Sequence, residues 1–218
     1  MIKAIIFDYD GVIVDSFVNV FAVYKKICQH FGVTCTNDIN EFRKIYGYNY
    51  KECLKNLGIK EENTDQVNEI FKQEIVKARH AVFAGVAEVI ATLSRQYKLY
   101  VVSSSYSEEV LSKLQEADLL KFFQKIYCGA DEDFNQSKSV LMKKFFAEND
   151  YAPDEVLSIG DRAVDYAASK AVDMPDDNII LVTYGWGLDL DKIGGVTKLA
   201  DQPSDILKFV EENSPAAS

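Results

Sequence analysis

The stretch IKAIIFDYDGV, residues 2–12, places two acidic residues directly behind a short apolar run. The run Ile2–Phe7 is rich in β-branched residues, which is typical of a strand buried on both faces of a parallel sheet. Asp8 and Asp10 follow it at once. We therefore expect a buried strand whose carboxyl end delivers two carboxylates into a loop.

Similar apolar runs alternate with helical patterns through the second half of the chain. The runs are Leu99–Val102, Val156–Ile159 and Ile179–Val182. Apolar residues at helical spacing predict helices over residues 85–97, 108–120, 140–149 and 163–171. We interpret Ser105-x-x-Glu108 as a capping box that begins the second helix. This alternation predicts an α/β fold, with a doubly wound, Rossmann-like core around a parallel sheet.

Residues 16–80 interrupt the alternation, since they contain no strand pattern. Phe17–Phe31 has apolar residues on one helical face, and residues 42–46, 50–57 and 64–79 also have helical patterns. We expect an inserted α-helical cap over residues 16–80. Residues 1–15 and 81–218 would then form the catalytic core.

Polar residues follow two more of the predicted strands. Asp161 and Asp165 come after Val156–Ile159, and Ser103 and Ser104 come after Leu99–Val102. In an open α/β sheet, the loops at the carboxyl ends of the strands form the ligand crevice. Four carboxylates gathered there repel one another unless a cation binds or their pKa values rise, and Mg²⁺ is suited to oxygen ligands. For Asp161, Asp165 and the two serines, the alternative is that they only cap the helices that follow them.

Composition limits the classes of partner. The 218 residues include 34 acidic and 24 basic ones, a net charge of −10, which disfavours nucleic acid and anionic membranes as partners. No apolar run approaches the roughly 18 residues of a membrane span. The amino terminus lacks the pattern of a signal peptide, and the four cysteines form no C-x-x-C pair. We expect a cytoplasmic protein with reduced thiols, as a monomer or homodimer.

These motifs, taken in order, resemble the haloacid dehalogenase superfamily. Asp8-Tyr9-Asp10-Gly11-Val12 is similar to its first motif, Ser103 to its second, Lys138 to its third, and Gly160–Asp165 to its fourth. The helical insertion and Tyr184-Gly185-Trp186-Gly187 resemble the branch of phosphoglycolate phosphatase and β-phosphoglucomutase. Ser139 stands where that branch usually has proline, and Arg162 stands where it has serine or threonine.

The resemblance implies a role for each of these residues. Asp8 would be the nucleophile, Asp10 the general acid and base, and Lys138 the cation that offsets the charge of the transferring phosphoryl group. The residues expected to contact Mg²⁺ are Asp8, Asp10 (through its backbone carbonyl), Asp161 and Asp165. The residues expected to contact substrate are Gly11, Ser103, Ser104 and, in the cap loop of residues 43–49, Arg43.

The resulting hypothesis is a Mg²⁺-dependent phosphatase acting on a small phosphorylated metabolite, similar to phosphoglycolate or a sugar phosphate. A phosphotransferase of the β-phosphoglucomutase type shares all four motifs and remains the alternative. A phosphate-binding protein without catalytic activity is a third reading. A dehalogenase fits less well, because it has no need for Asp10 as the acid that protonates a leaving oxygen.

Overall fold

A computed structural model describes residues 1–46, 50–130, 137–187, 193–195 and 198–212 of the chain. Its strands are β1 Ala4–Phe7, β2 Val14–Asp15, β3 Ala81–Val82, β4 Lys98–Ser103, β5 Phe123–Cys128, β6 Val156–Gly160, β7 Ile179–Val182 and β8 Lys198–Ala200. Its helices are α1 Phe17–Phe31, α2 Ile39–Tyr46, α3 Tyr50–Asn56, α4 Thr64–Ile75, α5 Val86–Leu93, α6 Ser107–Glu116, α7 Lys138–Glu148, α8 Ala163–Lys170 and α9 Pro203–Glu212. Within these described residues, none of the helices has the length and apolar character required to span a bilayer.

The chain divides into two compact units. The first comprises Met1–Asp15 and Ala81–Ser218, and the second comprises Ser16–His80. In the first unit, six parallel strands form a sheet in the order β5-β4-β1-β6-β7-β8. A separate antiparallel pair, β2 and β3, lies where the chain leaves this unit and returns to it.

Alternate residues of the sheet face two separate apolar cores. Ile5 and Phe7 of β1 belong to the core that includes residues of α5, α6 and α9. Ala4 and Ile6 belong to the core on the other face, with residues of α7 and α8. This alternation follows from the two-residue period of a strand. Helices therefore cover both faces, which confirms the predicted α/β fold with a doubly wound parallel sheet.

The second unit is built from α1, α2, α3 and α4, and its described residues contain no strand. The buried ring of Phe42 on α2 packs against three aromatic rings of α1. The centroid distances are 5.8 Å to Phe17, 4.9 Å to Phe21 and 5.4 Å to Tyr24. These rings occupy the apolar face that the 3–4 spacing of α1 predicted, so the helical prediction for this segment is confirmed.

Several predictions from the sequence need correction. The strands β5 and β8 and the helix α9 were not predicted, and neither was the short pair β2 and β3. The capping box at Ser105 is wrong, because α6 begins at Ser107 after Tyr106 and has no side-chain cap. The Ser105 hydroxyl donates instead to Asp10, far away in sequence.

Candidate active site

The carboxyl end of β1 lies between the ends of its two neighbouring strands. Phe7 is paired in register with Val101 of β4 and with Ile159 of β6. The backbone N–H of Asp8 donates to the carbonyl of Ile159 at 2.8 Å. The parallel register thus brings the loops that follow β1, β4 and β6 to one edge of the sheet, as the sequence analysis expected.

Lys138 joins the first and fourth motifs. It is the first residue of α7, and its Nζ lies 2.6 Å from Oδ1 of Asp8 and forms a second ion pair with Oδ1 of Asp165. All three side chains are at least nine-tenths buried. The backbone N–H of Tyr9 also donates to Oδ1 of Asp8, at 2.7 Å. Lys138 and Tyr9 thus contact the same oxygen of Asp8.

Asp165 serves two purposes at once. Its Oδ2 accepts hydrogen bonds from the backbone N–H groups of Asp161, at 3.2 Å, and Arg162, at 2.9 Å. Because Asp165 lies in the first turn of α8, these bonds cap the helix. Its other oxygen pairs with Lys138. Asp165 therefore caps the helix with one oxygen while the other contacts Lys138, and its role as a metal ligand stays a prediction.

Asp161 is fully buried, and its two carboxylate oxygens differ in their hydrogen bonding. Oδ2 accepts a hydrogen bond of 2.6 Å from the backbone N–H of Trp186, in the loop after β7. Oδ1 is buried without a hydrogen-bond partner among the described residues. A buried carboxylate oxygen without a partner is costly unless a cation binds it.

Two glycines make room for this carboxylate. A Cβ on Gly11 would lie 2.1 Å from Oδ2 of Asp161, and Gly11 also has a φ of +77° that disfavours other residues. A Cβ on Gly185 would lie 2.4 Å from the carbonyl oxygen of Gly11 and 2.5 Å from Oδ2 of Asp161. The backbone therefore approaches Asp161 from two sides, and any side chain at either position would displace it.

The acidic cluster fits a divalent cation. Asp8, Asp161 and Asp165 each offer a carboxylate oxygen, and these oxygens lie within 4.8 Å of one another. Together with the unpartnered Oδ1 of Asp161, this all-oxygen donor set suits Mg²⁺. The carboxylate of Asp10 accepts a hydrogen bond from Ser105, and contact between its backbone carbonyl and a cation stays a prediction from the sequence.

Burial and mutual repulsion set the protonation of the cluster. Burial raises the pKa of Asp8 above its ordinary value, against the attraction of Lys138, and the charges of Asp165 and Asp10 raise it further. Burial, followed by the charges of Asp165 and Asp8, raises the pKa of Asp161 as well. For Lys138, burial lowers the pKa, but the carboxylates of Asp165 and Asp8 outweigh it and the net shift is upward. Lys138 is therefore a permanent cation in a cluster that favours additional positive charge.

The remaining predicted residues fall in two places. Ser103 is buried at the end of β4, where its Oγ accepts a hydrogen bond of 3.0 Å from the backbone N–H of Ser105, and Ser104 between them is exposed. Arg43 lies on α2 in the second unit, exposed, with its guanidinium 4.8 Å from the ring centre of Phe17. The predicted contact loop continues into residues 47–49, which lie outside the described residues.

Sequence reasoning missed the roles of Ser105, Gly185 and Trp186. The tetrapeptide from Tyr184 was noted as family-like, but no function was assigned to it. Its glycine, followed by a residue that is not proline and so has a backbone N–H to donate, was the available signal. Ser105 offered no such signal, because a serine before a helix has the same appearance whether it caps the helix or reaches a distant carboxylate.

Comparison with known proteins gives a consistent result. Residues 5–176 match the family described as haloacid dehalogenase-like hydrolase. The chain is 25% identical over 217 residues to the phosphoglycolate phosphatase of Synechococcus elongatus, covering 96% of this chain and 98% of that protein. It is 25% identical over 218 residues to the phosphorylated carbohydrates phosphatase of Thermotoga maritima, covering 96% and 99%. A haloacid dehalogenase-like hydrolase from Streptococcus pneumoniae shares the fold, with a TM-score of 0.82, 20% identity and coverage of 96% and 98%.

The family match covers well over half of the chain. The protein therefore belongs to the haloacid dehalogenase-like hydrolases and is an enzyme of that family. The recognition made from the sequence motifs is confirmed.

Proposed function

We propose that this haloacid dehalogenase-like hydrolase is a Mg²⁺-dependent phosphatase that hydrolyses a small phosphorylated metabolite through an aspartyl-phosphate on Asp8. The observation that carries the proposal is the arrangement around Asp8. Its buried carboxylate is held at one oxygen by Lys138, close to the carboxylates of Asp161 and Asp165. A nucleophile, a fixed cation and an acidic cluster that favours a second cation are the groups that phosphoryl transfer requires.

The two curated relatives support the reaction class. One is named as a phosphatase of phosphoglycolate and the other as a phosphatase of phosphorylated carbohydrates. Each spans nearly the whole of this chain. Both names describe phosphate monoesters of small molecules. A substrate of that class is what we propose here.

In the first half of the proposed reaction, Asp8 attacks the substrate. A bond forms between a carboxylate oxygen of Asp8 and phosphorus while the bond from phosphorus to the substrate oxygen breaks. Asp10, as the carboxylic acid, gives its proton to that leaving oxygen. The products of this half are the free alcohol and the aspartyl-phosphate, with Asp10 left as a carboxylate.

In the second half, water resolves the aspartyl-phosphate. The Asp10 carboxylate accepts a proton from the water whose oxygen bonds to phosphorus, and the bond between phosphorus and Asp8 breaks. Asp8 returns as a carboxylate, inorganic phosphate leaves, and Asp10 is again protonated. Two carboxylates are needed, because one is occupied as the nucleophile while the other moves the proton.

The neighbouring groups would stabilise charge on the phosphoryl oxygens. Lys138 offsets part of this charge, and Ser103, Ser104 and the backbone N–H near Gly11 would contact the same oxygens. Mg²⁺ bound by Asp8, Asp161, Asp165 and the Asp10 carbonyl would reduce the repulsion between the Asp8 carboxylate and the phosphate dianion. Asp165 would contribute mainly by holding Lys138 and the start of α8 in place.

The test is phosphate release from a panel of phosphoglycolate, sugar phosphates, nucleotides and p-nitrophenyl phosphate. Wild type and Asp8→Asn are compared, each with Mg²⁺ or with EDTA. The proposal requires release that needs the metal and is abolished by Asp8→Asn. Release that persists in Asp8→Asn would contradict it.

Other outcomes would point to the alternatives. Isomerised sugar phosphate with little free phosphate, dependent on a sugar bisphosphate, would indicate a mutase. Halide release from 2-haloacids without metal would indicate a dehalogenase. Metal binding without any turnover would indicate a phosphate-binding protein.

We also propose that Arg43 contributes to substrate choice. It is an exposed cation at the start of the segment 43–49 that is expected to contact substrate. Arg43→Ala should raise KM for substrates with a second anionic group and leave p-nitrophenyl phosphate unaffected. Unchanged kinetics across the whole panel would rule this role out.

A further inference from the structure

Ser105 connects two loops of the candidate site. Its hydroxyl donates a hydrogen bond of 2.5 Å to Oδ2 of Asp10, in the loop after β1. Its backbone N–H donates one of 3.0 Å to Oγ of Ser103, at the end of β4. Ser105 is half-buried. It contacts Asp10, the proposed general acid and base, through its hydroxyl, and it contacts Ser103, which is proposed to bind phosphate, through its backbone N–H.

The contact with Asp10 does not arise from helix capping. The helix α6 begins two residues later, at Ser107, and the residue at its cap position is Tyr106, which makes no side-chain cap. A hydroxyl has one proton to donate, and here that proton goes to a carboxylate 95 residues away in sequence. A hydrogen bond to a charged group is among the stronger kinds in proteins.

The bond affects how Asp10 can transfer protons. The hydrogen bond from Ser105 to Oδ2 restrains rotation of the Asp10 carboxyl group about its Cβ–Cγ bond. Proton transfer requires the two heavy atoms to approach within about 2.6–3.2 Å. A carboxyl group that rotates freely reaches that geometry less often than one fixed at its second oxygen.

We propose that Ser105 is a positioning residue that orients the carboxyl group of Asp10 for general acid and base catalysis. The proposal rests on the function proposed above, in which Asp10 protonates the leaving oxygen. It assigns Ser105 no contact with substrate. Loss of the Ser105 hydroxyl should therefore lower kcat/KM most for substrates whose leaving oxygen depends most on protonation by an acid.

The test compares two substrates of similar shape, phenyl phosphate and p-nitrophenyl phosphate. The leaving oxygen of phenyl phosphate is more basic and depends more on an acid. Ser105→Ala should lower kcat/KM for phenyl phosphate roughly tenfold, and for p-nitrophenyl phosphate by less than about threefold, with KM changed little. Ser105→Thr, which keeps a hydroxyl, should restore most of the loss.

A matched control is Ser112→Ala. Ser112 is also a serine of the α6 region, but its hydroxyl donates to the carbonyl of Glu109 at 3.0 Å within the helix. Its removal should leave both substrates unaffected. If Ser105→Ala lowers the midpoint of thermal unfolding, Ser105→Cys, which keeps the side-chain volume with a weaker donor, provides the same comparison in a folded protein.

A double-mutant cycle tests whether Ser105 acts through Asp10. In an Asp10→Asn background, Ser105→Ala should produce no further loss for phenyl phosphate, because the acid is already absent. Equal losses for the two substrates, or additive losses in the double variant, would overturn the proposal. Those results would leave the proposed function intact if Asp8→Asn is inactive, whereas an active Asp8→Asn would contradict the proposed function itself.

Discussion

Two acidic loops lie side by side at the carboxyl edge of the sheet, and they differ in the donors that hold their carboxylates. In the loop after β1, side chains reach the acids from elsewhere in the fold: Lys138 contacts Asp8, and Ser105 contacts Asp10. The backbone N–H of Tyr9 also donates to Asp8. In the loop after β6, three backbone N–H groups donate to the acids, and the Lys138 side chain also pairs with Asp165. Trp186 donates to Asp161, while two successive N–H groups donate to Asp165.

We relate this difference to two roles, which are reaction chemistry and structural support. Side-chain donors can shift as protons and phosphoryl groups move, whereas backbone N–H groups are fixed by the fold. We infer that the first loop carries the reaction and that the second holds a cation and the start of α8 in place. Each substitution below tests one side of this division.

The largest effect is expected for Asp8→Asn, in the first loop. An amide does not act as the nucleophile, so kcat should fall by more than roughly 10³-fold. The midpoint of thermal unfolding should not fall with it, because the amide has nearly the same shape and relieves repulsion within the cluster. If Asp8→Asn lost activity only because it unfolds, the result would not support a catalytic role for the first loop.

Lys138→Met is expected to affect stability as well as turnover. It leaves buried carboxylates without their cation, so in EDTA the free energy of unfolding should fall by about 3 kcal/mol. Mg²⁺ should restore part of this loss. The control is Lys125→Met, which breaks an exposed pair with Glu148 of 2.7 Å and should cost far less, because solvent screens exposed charges. Equal losses of free energy of unfolding in the two variants would mean that Lys138 does not offset repulsion among the buried carboxylates.

Glu109 on α6 provides a pH-dependent test beside the first loop. Burial, followed by the charge of Asp10, raises the pKa of this carboxyl to about 9. The folded state then retains a proton that the unfolded state loses above about pH 4.3, so stability should decrease as the pH rises from there to about 9.

Glu109→Gln removes the part of this pH dependence that is due to Glu109. Relative to wild type, the variant should gain about 3 kcal/mol in free energy of unfolding between pH 5.5 and pH 8, measured by denaturant titration in EDTA. The exposed neighbour Glu108 is the control, and Glu108→Gln should show the pH dependence of wild type. A wild-type slope in Glu109→Gln would mean that this carboxyl is already ionised in the fold.

The smallest effect concerns the second loop. In Gly185→Ala the new Cβ would lie 2.5 Å from Oδ2 of Asp161, so the carboxylate must shift and the Kd for Mg²⁺ should rise roughly tenfold, or about 1.4 kcal/mol. Trp186, the single tryptophan of the chain, provides a fluorescence signal for the titration. Gly194→Ala, where a Cβ meets nothing within 4 Å, should bind as wild type does. Unchanged affinity in Gly185→Ala would mean that Asp161 does not bind the metal.

The strands of the central sheet could be predicted because they are buried on both faces. β1, β4, β6 and β7 appear as continuous apolar runs in the sequence, and each prediction agreed with the structure within two residues at either end. β5 was not predicted because the exposed residues Gln124 and Lys125 interrupt its apolar pattern. Exposed polar residues are common in a strand at the edge of a sheet. β8, at the other edge, has three residues, too few to show a period.

The site was predictable to the extent that its residues follow strands directly. Asp8, Asp161 and Asp165 could be placed at one edge because parallel strands end together. The partners of Asp10 and Asp161 could not, because Ser105 and the Trp186 N–H reach them through tertiary packing. The Ser105-x-x-Glu108 pattern favoured a local cap, and the structure shows that the distant carboxylate receives the bond instead.

The most direct test of the account is detection of the aspartyl-phosphate. The enzyme is mixed with Mg²⁺ and its best substrate, quenched in acid within the first turnover, digested and analysed by mass spectrometry. The account predicts one added phosphoryl group on the peptide that contains Asp8, labile to neutral hydroxylamine and absent from Asp8→Asn. Rapid turnover with no phosphoryl group on that peptide, or with one on a different residue, would contradict it.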